Sequence, residues 1–222
     1  MRETPFIDIH THHSDHTDTV LSIVNYYPKQ SILNHVPDQY ITVGLHPWKL
    51  EQDCADKNLE LVKTIAPINK VLAIGEIGLD RTVASPLNIQ ETYFIKQIAI
   101  AEKLQKPIII HCVRCFPELL SIKKKVKAST PWLIHGFRNN IQIANNLLEH
   151  GCYLSFGEAL LFDKKIQDLF VKIPINRIFL ETDESDSSIE NIYTKAAQLK
   201  SMQLRKIKTD LFENYKSVFQ SK

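Results

Sequence analysis

Asp8, His10 and His12 alternate in the run Asp8-Ile9-His10-Thr11-His12. If that run is a strand, the two-residue side-chain period puts both imidazoles on one face with Asp8 beneath them. Two imidazoles at a strand's carboxyl end suit a shared divalent cation, since Zn, Mn and Fe all accept imidazole nitrogen. Taken alone, His-x-His is a short motif that polar loops also produce. Further residues of the same chemistry follow along the chain. Glu76 lies in Gly75-Glu76-Ile77-Gly78-Leu79-Asp80, His111 follows Ile108-Ile109-Ile110, His135 follows Leu133-Ile134, and Asp183 follows Leu180-Glu181-Thr182. Each stands where an apolar run ends. Burying ionisable groups there without partners costs several kcal/mol, and a cation supplies the compensation.

The elements that must bring these residues together are short β-rich runs alternating with longer helical stretches, the pattern of repeated βα units and a parallel sheet. Eight strands are predicted: Phe6 to Ile9, Val20 to Val24, Tyr40 to Leu45, Val71 to Ile77, Pro107 to Ile110, Trp132 to Ile134, Tyr153 to Phe156 and Arg177 to Leu180. Ile108-Ile109-Ile110 and Ile178-Phe179-Leu180 are apolar without alternation, as in strands covered on both faces. Phe94, Ile95, Ile98, Ala101 and Glu102 fall at helical spacing within Gln90 to Leu104, and residues 186 to 220 read as wholly helical. Eight such strands imply a compact (β/α)8 TIM barrel, in which residues at the carboxyl ends of the strands share one rim. That fold typically takes about 250 residues. The shortfall falls after His12, where some seven residues lead to the second strand, fewer than the dozen or so a crossover helix needs. The first helix is therefore expected to be reduced or missing. No repeat, low-complexity tract or Gly/Ser linker divides the chain, so residues 1–222 read as a single domain.

The chain has 222 residues, 27 basic and 25 acidic, with 44% apolar. No apolar run approaches the roughly 18 residues of a membrane span, and the start has no signal-peptide shape. A cytoplasmic monomer without membrane association is expected. Four cysteines are too few and too irregular for a secreted disulfide scaffold. A net charge of +2 excludes a dedicated nucleic-acid coat but leaves room for a local basic groove.

The chain resembles the TatD metal-dependent hydrolases of the amidohydrolase superfamily over nearly its whole length. The likeness rests on Asp8-Ile9-His10-Thr11-His12, Gly44-Leu45-His46-Pro47, Gly75-Glu76-Ile77-Gly78-Leu79-Asp80, Lys106-Pro107 leading to His111, His135-Gly136-Phe137, Ser155-Phe156-Gly157, Glu181-Thr182-Asp183 and Asn214. The resemblance implies an eight-stranded barrel with one or two divalent metal ions, Mg, Mn or Zn, and hydrolysis of phosphodiester bonds, commonly in DNA. It makes His10, His12, Glu76, His111, His135 and Asp183 the metal shell. Glu76 has two oxygens to bridge a pair of cations; His10 and His12 would hold one, completed by Asp183, and His111 and His135 the other. Paired metals about 3.5 to 4 Å apart lower the pKa of a shared water. Asp183 and Glu76 are then the catalytic carboxylates, with Asp183 the general base. His46 and Arg114 are expected to meet the substrate phosphate, which a guanidinium can grip bidentately. Asp8, Glu181 and Asp80 are candidates for orienting imidazole or backbone.

The pattern also breaks. Family nucleases usually carry Ala-Pro after Glu-Thr-Asp and then a long basic loop. Here the chain reads Glu184-Ser185-Asp186-Ser187-Ser188 and enters helix almost directly. Acidic residues in place of a basic loop weaken attraction to a phosphate backbone. The sequence therefore supports a phosphodiesterase, with two alternatives: the same metal centre acting on an ester or amide bond in a nucleotide-linked or small molecule, or a metal-binding protein without turnover. Cys112-Val113-Arg114-Cys115 follows a strand rather than a thioredoxin-like setting and reads as incidental buried thiols. Lys123-Lys124-Lys125 and the basic stretch from Lys200 to Lys208 read as solvated helix faces. His13 and His16 are placed to border a pocket, and His35 and His150 at surfaces or helix ends.

Overall fold

Alternating apolar runs become eight strands in one sheet that follow in chain order: β1 Phe6–Thr11, β2 Val20–Tyr26, β3 Tyr40–Val43, β4 Val71–Asp80, β5 Ile108–Val113, β6 Trp132–Ile134, β7 Tyr153–Phe156 and β8 Ile178–Leu180. This computed structural model describes residues 3–13, 17–50 and 54–220. His16 lies outside them. Nine α-helices follow the strands among the described residues: α1 Gln30–Asn34, α2 Ala55–Ile65, α3 Leu87–Leu104, α4 Phe116–Val126, α5 Ile141–Glu149, α6 Ala159–Phe162, α7 Lys164–Lys172, α8 Ile189–Leu199 and α9 Leu204–Tyr215. The fold is a (β/α)8 TIM barrel. Its described residues between β1 and β2 carry no helix, as the short first connection requires.

The chain forms two compact units, one of residues 1–24 and 134–222 and the other of residues 25–133. In the first, β1 pairs in parallel with the start of β2, and β7 with β8. The chain just beyond β8 pairs with β1 through a parallel Thr11–Asp183 bridge, in which Asp183 N–H donates to His10 O (3.0 Å) and His12 N–H donates to Asp183 O (3.0 Å). Tyr193 of α8, fully buried, stands edge to face with Phe6 at 5.1 Å. Its hydroxyl accepts from Ile7 N (3.0 Å) and donates to Ile7 O (3.1 Å). Removing that oxygen leaves buried β1 backbone groups unsatisfied, and each such group costs about 1–3 kcal/mol. Tyr193→Phe is expected to lower the stability by about 2 kcal/mol in urea unfolding, with an unchanged m-value.

In the second unit β4 pairs in parallel with both β3 and β5. The Lys106-Pro107 motif has a physical account there: Lys106 Nζ donates to the carbonyls of Ala66, Ile68 and Val71 and pins the loop ahead of β4. Trp132 is fully buried against Phe94, 5.5 Å between ring centres.

Several boundaries differ from the sequence reading. β1, β4 and β5 extend through Thr11, Asp80 and Val113, and β3 stops at Val43. The stretch 186–220 is not one helix. Ser201 turns left-handed (φ 53°) and Met202 N–H reaches back to Ala197 O (2.9 Å), which closes α8 before α9 begins at Leu204.

Candidate metal centre

Within the first unit, burial along the whole of β1 holds His10 with no exposed surface. His10 Nε2 lies 3.5 Å and His12 Nε2 3.6 Å from Asp183 Oδ1. The His135 ring sits 4.4 Å from that of His10. His10, His135 and Asp183 each offer a donor atom within 4.8 Å of the other two. Asp183 adopts a left-handed backbone (φ 56°), which the two hydrogen bonds to β1 hold in place. Behind the donors, Glu181 is fully buried; its Oε1 accepts from Gly136 N–H and stands 3.7 Å from His135 Nδ1. Asp8 turns to Thr182 instead, accepting from its backbone N–H (3.0 Å) and its side-chain Oγ1 (2.7 Å). Burial pushes its carboxyl up to about 7 against the pull of those two bonds.

Within the second unit, Glu76 Oε1 is 2.9 Å from His111 Nδ1 and 3.2 Å from His46 Nε2. These three residues form a donor group of the same size. His111 turns its other nitrogen, Nε2, to Asp80 Oδ2 at 3.0 Å. Asp80 also accepts from Trp48 Nε1 (2.7 Å), Thr82 N (2.8 Å) and Thr82 Oγ1 (2.5 Å). Burial alone would favour its neutral form, but these donors outweigh it and hold the carboxyl well below the usual range. A fixed carboxylate on one imidazole nitrogen sets the tautomer and aims the other nitrogen.

Each group therefore offers two imidazoles and a carboxylate. Zinc ligands of these types lie about 2.0–2.2 Å from the ion, so they stand at most about 4.4 Å apart around it. A contraction of a few tenths of an ångström brings the observed donors within that limit. The donor set fits a divalent cation, and its nitrogens favour the later transition metals.

Of the residues singled out in the sequence, His10, His12, His135 and Asp183 gather in the first unit, and Glu76, His111 and His46 in the second. His46, expected at the substrate, stands with its Nε2 3.2 Å from Glu76 Oε1 in this donor group, while its Nδ1 caps the turn Pro47–Lys49 by accepting from Trp48 N (3.2 Å). Arg114 is exposed just after β5 at φ 56°, with its carbonyl accepting from Arg81 Nε (3.2 Å). His13 is exposed in the loop after β1, and His35 and His150 cap helix ends. Burial raises the thiols of Cys112 and Cys115, away from the reactive range.

Three positioning residues escaped the sequence reading. Asn25 Oδ1 accepts from Glu76 N (2.9 Å) and Thr42 Oγ1 (2.9 Å), and its Nδ2 faces Glu76 Oε2 at 3.5 Å. Gln97 bonds the backbone of Leu45, next to His46, through both amide atoms, and Gln90 does the same to Asp80. A polar amide inside an apolar strand, and two glutamines seven apart on the buried face of α3, were the available signals.

The TatD related DNase family profile matches residues 28–220. The chain belongs to this family. Among TatD relatives, it is 30% identical to the uncharacterized metal-dependent hydrolase YabD of Bacillus subtilis, over 81% of this chain and 77% of that protein. It is also 30% identical to the 3'-5' ssDNA/RNA exonuclease TatD of Citrobacter rodentium, over 69% of this chain and 60% of the exonuclease. The crystal structure of YjjV, a TatD homolog from Escherichia coli, superposes with a TM-score of 0.83 at 22% identity and covers 98% of both chains. That likeness establishes the TatD barrel fold.

Proposed function

We propose that this TatD-family chain is a divalent-metal-dependent phosphodiesterase acting on nucleic acid. The observation that supports it best is the paired donor chemistry, two imidazoles and a carboxylate in each unit. His10, His12, Glu76, His111, His135 and Asp183 are the proposed metal ligands, with His46 added by its place beside Glu76. Two cations, Mg, Mn or Zn, would be held by these groups. When bound, such ions polarise a phosphoryl oxygen and make hydroxide available near neutral pH. Asp183 Oδ1 is the proposed base that takes the proton of the attacking water, and its half-exposed side chain leaves it open to one. Asp80 keeps His111 in one tautomer, while Glu181 and Asp8 brace the chain around His135 and Thr182. Arg114, exposed after β5, is the proposed phosphate contact. Among the described residues no helix is long and apolar enough to cross a membrane.

Cleavage of labelled single-stranded DNA, duplex DNA and RNA should vanish on exhaustive chelation and return when Mg, Mn or Zn is restored, each titrated separately. Absence of cleavage of every nucleic acid by the metal-loaded protein would refute the proposal. The exposed acidic residues Glu184 and Asp186 beside Asp183 support one second reading, an ester or amide substrate with fewer phosphates. A panel of carboxylic ester and amide substrates run beside the nucleic acids separates the two, and a loaded protein inert to both is a metal-binding protein without turnover.

A further inference from the structure

Trp48 is 62% exposed, although it neighbours donors that are mostly buried. An indole needed only for core packing would be covered. This one is held at two points: its backbone N–H donates to His46 Nδ1 and its ring Nε1–H donates to Asp80 Oδ2 at 2.7 Å. The ring stands edge to face with His46 at 5.1 Å and His111 at 6.0 Å. Pro47, buried ahead of it, stiffens the turn, and Lys49, exposed behind it, adds a positive charge. The ring is thus ordered before any ligand arrives, which removes most of the entropic cost of packing a planar group against it.

We propose that Trp48 is a stacking site for an unpaired nucleobase. The aromatic face takes a base of any sequence, and the adjacent lysine favours a nucleotide over an uncharged aromatic compound. A base inside a duplex is covered on both faces by its neighbours, so the site favours single-stranded nucleic acid. This deepens the phosphodiesterase reading and rests on it only for the place of the bond that is cut.

The protein has two tryptophans, and the other, Trp132, is fully buried. Quenching of the exposed emission therefore reports on Trp48 directly. The chelated protein is titrated with a phosphorothioate dinucleotide and with its abasic counterpart. Saturable quenching by the first and none by the second is expected. With loaded protein, Trp48→Ala should raise KM about tenfold with a smaller change in kcat. Trp48→Phe loses the bond to Asp80 but keeps a ring, so it should recover most of that loss. Equal binding of the abasic ligand, or a Phe variant as impaired as the Ala variant, overturns the proposal and assigns Trp48 to bracing Asp80. Base-dependent quenching in a protein that cleaves no phosphodiester would instead keep the stacking site and remove the phosphodiesterase.

Discussion

Asp183→Asn is expected to lower kcat/KM for phosphodiester cleavage by about 10³-fold or more while leaving the thermal unfolding transition where it is. The size follows from the two roles the carboxylate would lose at once: a charged oxygen near His10 and His12, at 3.5 and 3.6 Å, and a base able to accept a proton, a contribution typically of 10²–10⁴-fold. The unchanged fold follows from the backbone. Asp183 sits at φ 56°, and its bonds to β1 run through its own N–H and carbonyl, which Asn retains. Asn is among the few side chains that tolerate this left-handed region. Asp183→Ala has no such tolerance and should add roughly 1–2 kcal/mol of instability to the same loss of activity. Kinetics on both variants beside circular dichroism melting checks this. A cleavage rate within a few-fold of the unmodified protein for Asp183→Asn would remove Asp183 from the chemistry.

The barrel was legible because its strands are short, β-branched and separated by helix-period segments; β6 and β7 fall where the apolar runs do. Strand ends were less legible for a reason tied to the site. Asp80 and His111 are polar, so a hydrophobic pattern stops ahead of them, yet they continue β4 and β5 because buried partners satisfy them. The break after α8 has no Gly or Pro to mark it; Ser201 adopts the left-handed cap that Gly usually takes. The donors could be read from residue type and from their recurrence at strand ends. Asn25, Gln90 and Gln97 gave only a weak signal, an amide inside an apolar strand or on a buried helix face, because a neutral amide carries no charge pattern and the fold alone sets its partners. His46 shows the same limit: its type was noticed, but only the turn it caps reveals that its other nitrogen faces Glu76.

Gly78→Ala is expected to unfold the second unit at physiological temperature or to destabilise it by about 4 kcal/mol or more, a cost in the exceptional range for one methyl group. Gly78 lies inside β4 opposite His111, with φ 151°, and a Cβ there would stand 1.9 Å from the His111 carbonyl oxygen and 2.9 Å from its carbon. Neither atom is a flexible side-chain end. Relief must come from parting β4 and β5, which carry Glu76 and His111 on the two sides of the same pairing. Gly151→Ala gives the contrast: its φ of 75° is also left-handed, but a Cβ would meet nothing within 4 Å. It should cost only the conformational penalty of roughly 1–2 kcal/mol. Denaturant unfolding of the two variants side by side separates steric conflict from backbone preference. A Gly78→Ala protein no less stable than Gly151→Ala would mean that β4 and β5 are not packed as closely as their pairing requires, and the approach of His111 Nδ1 to Glu76 would lose its structural basis.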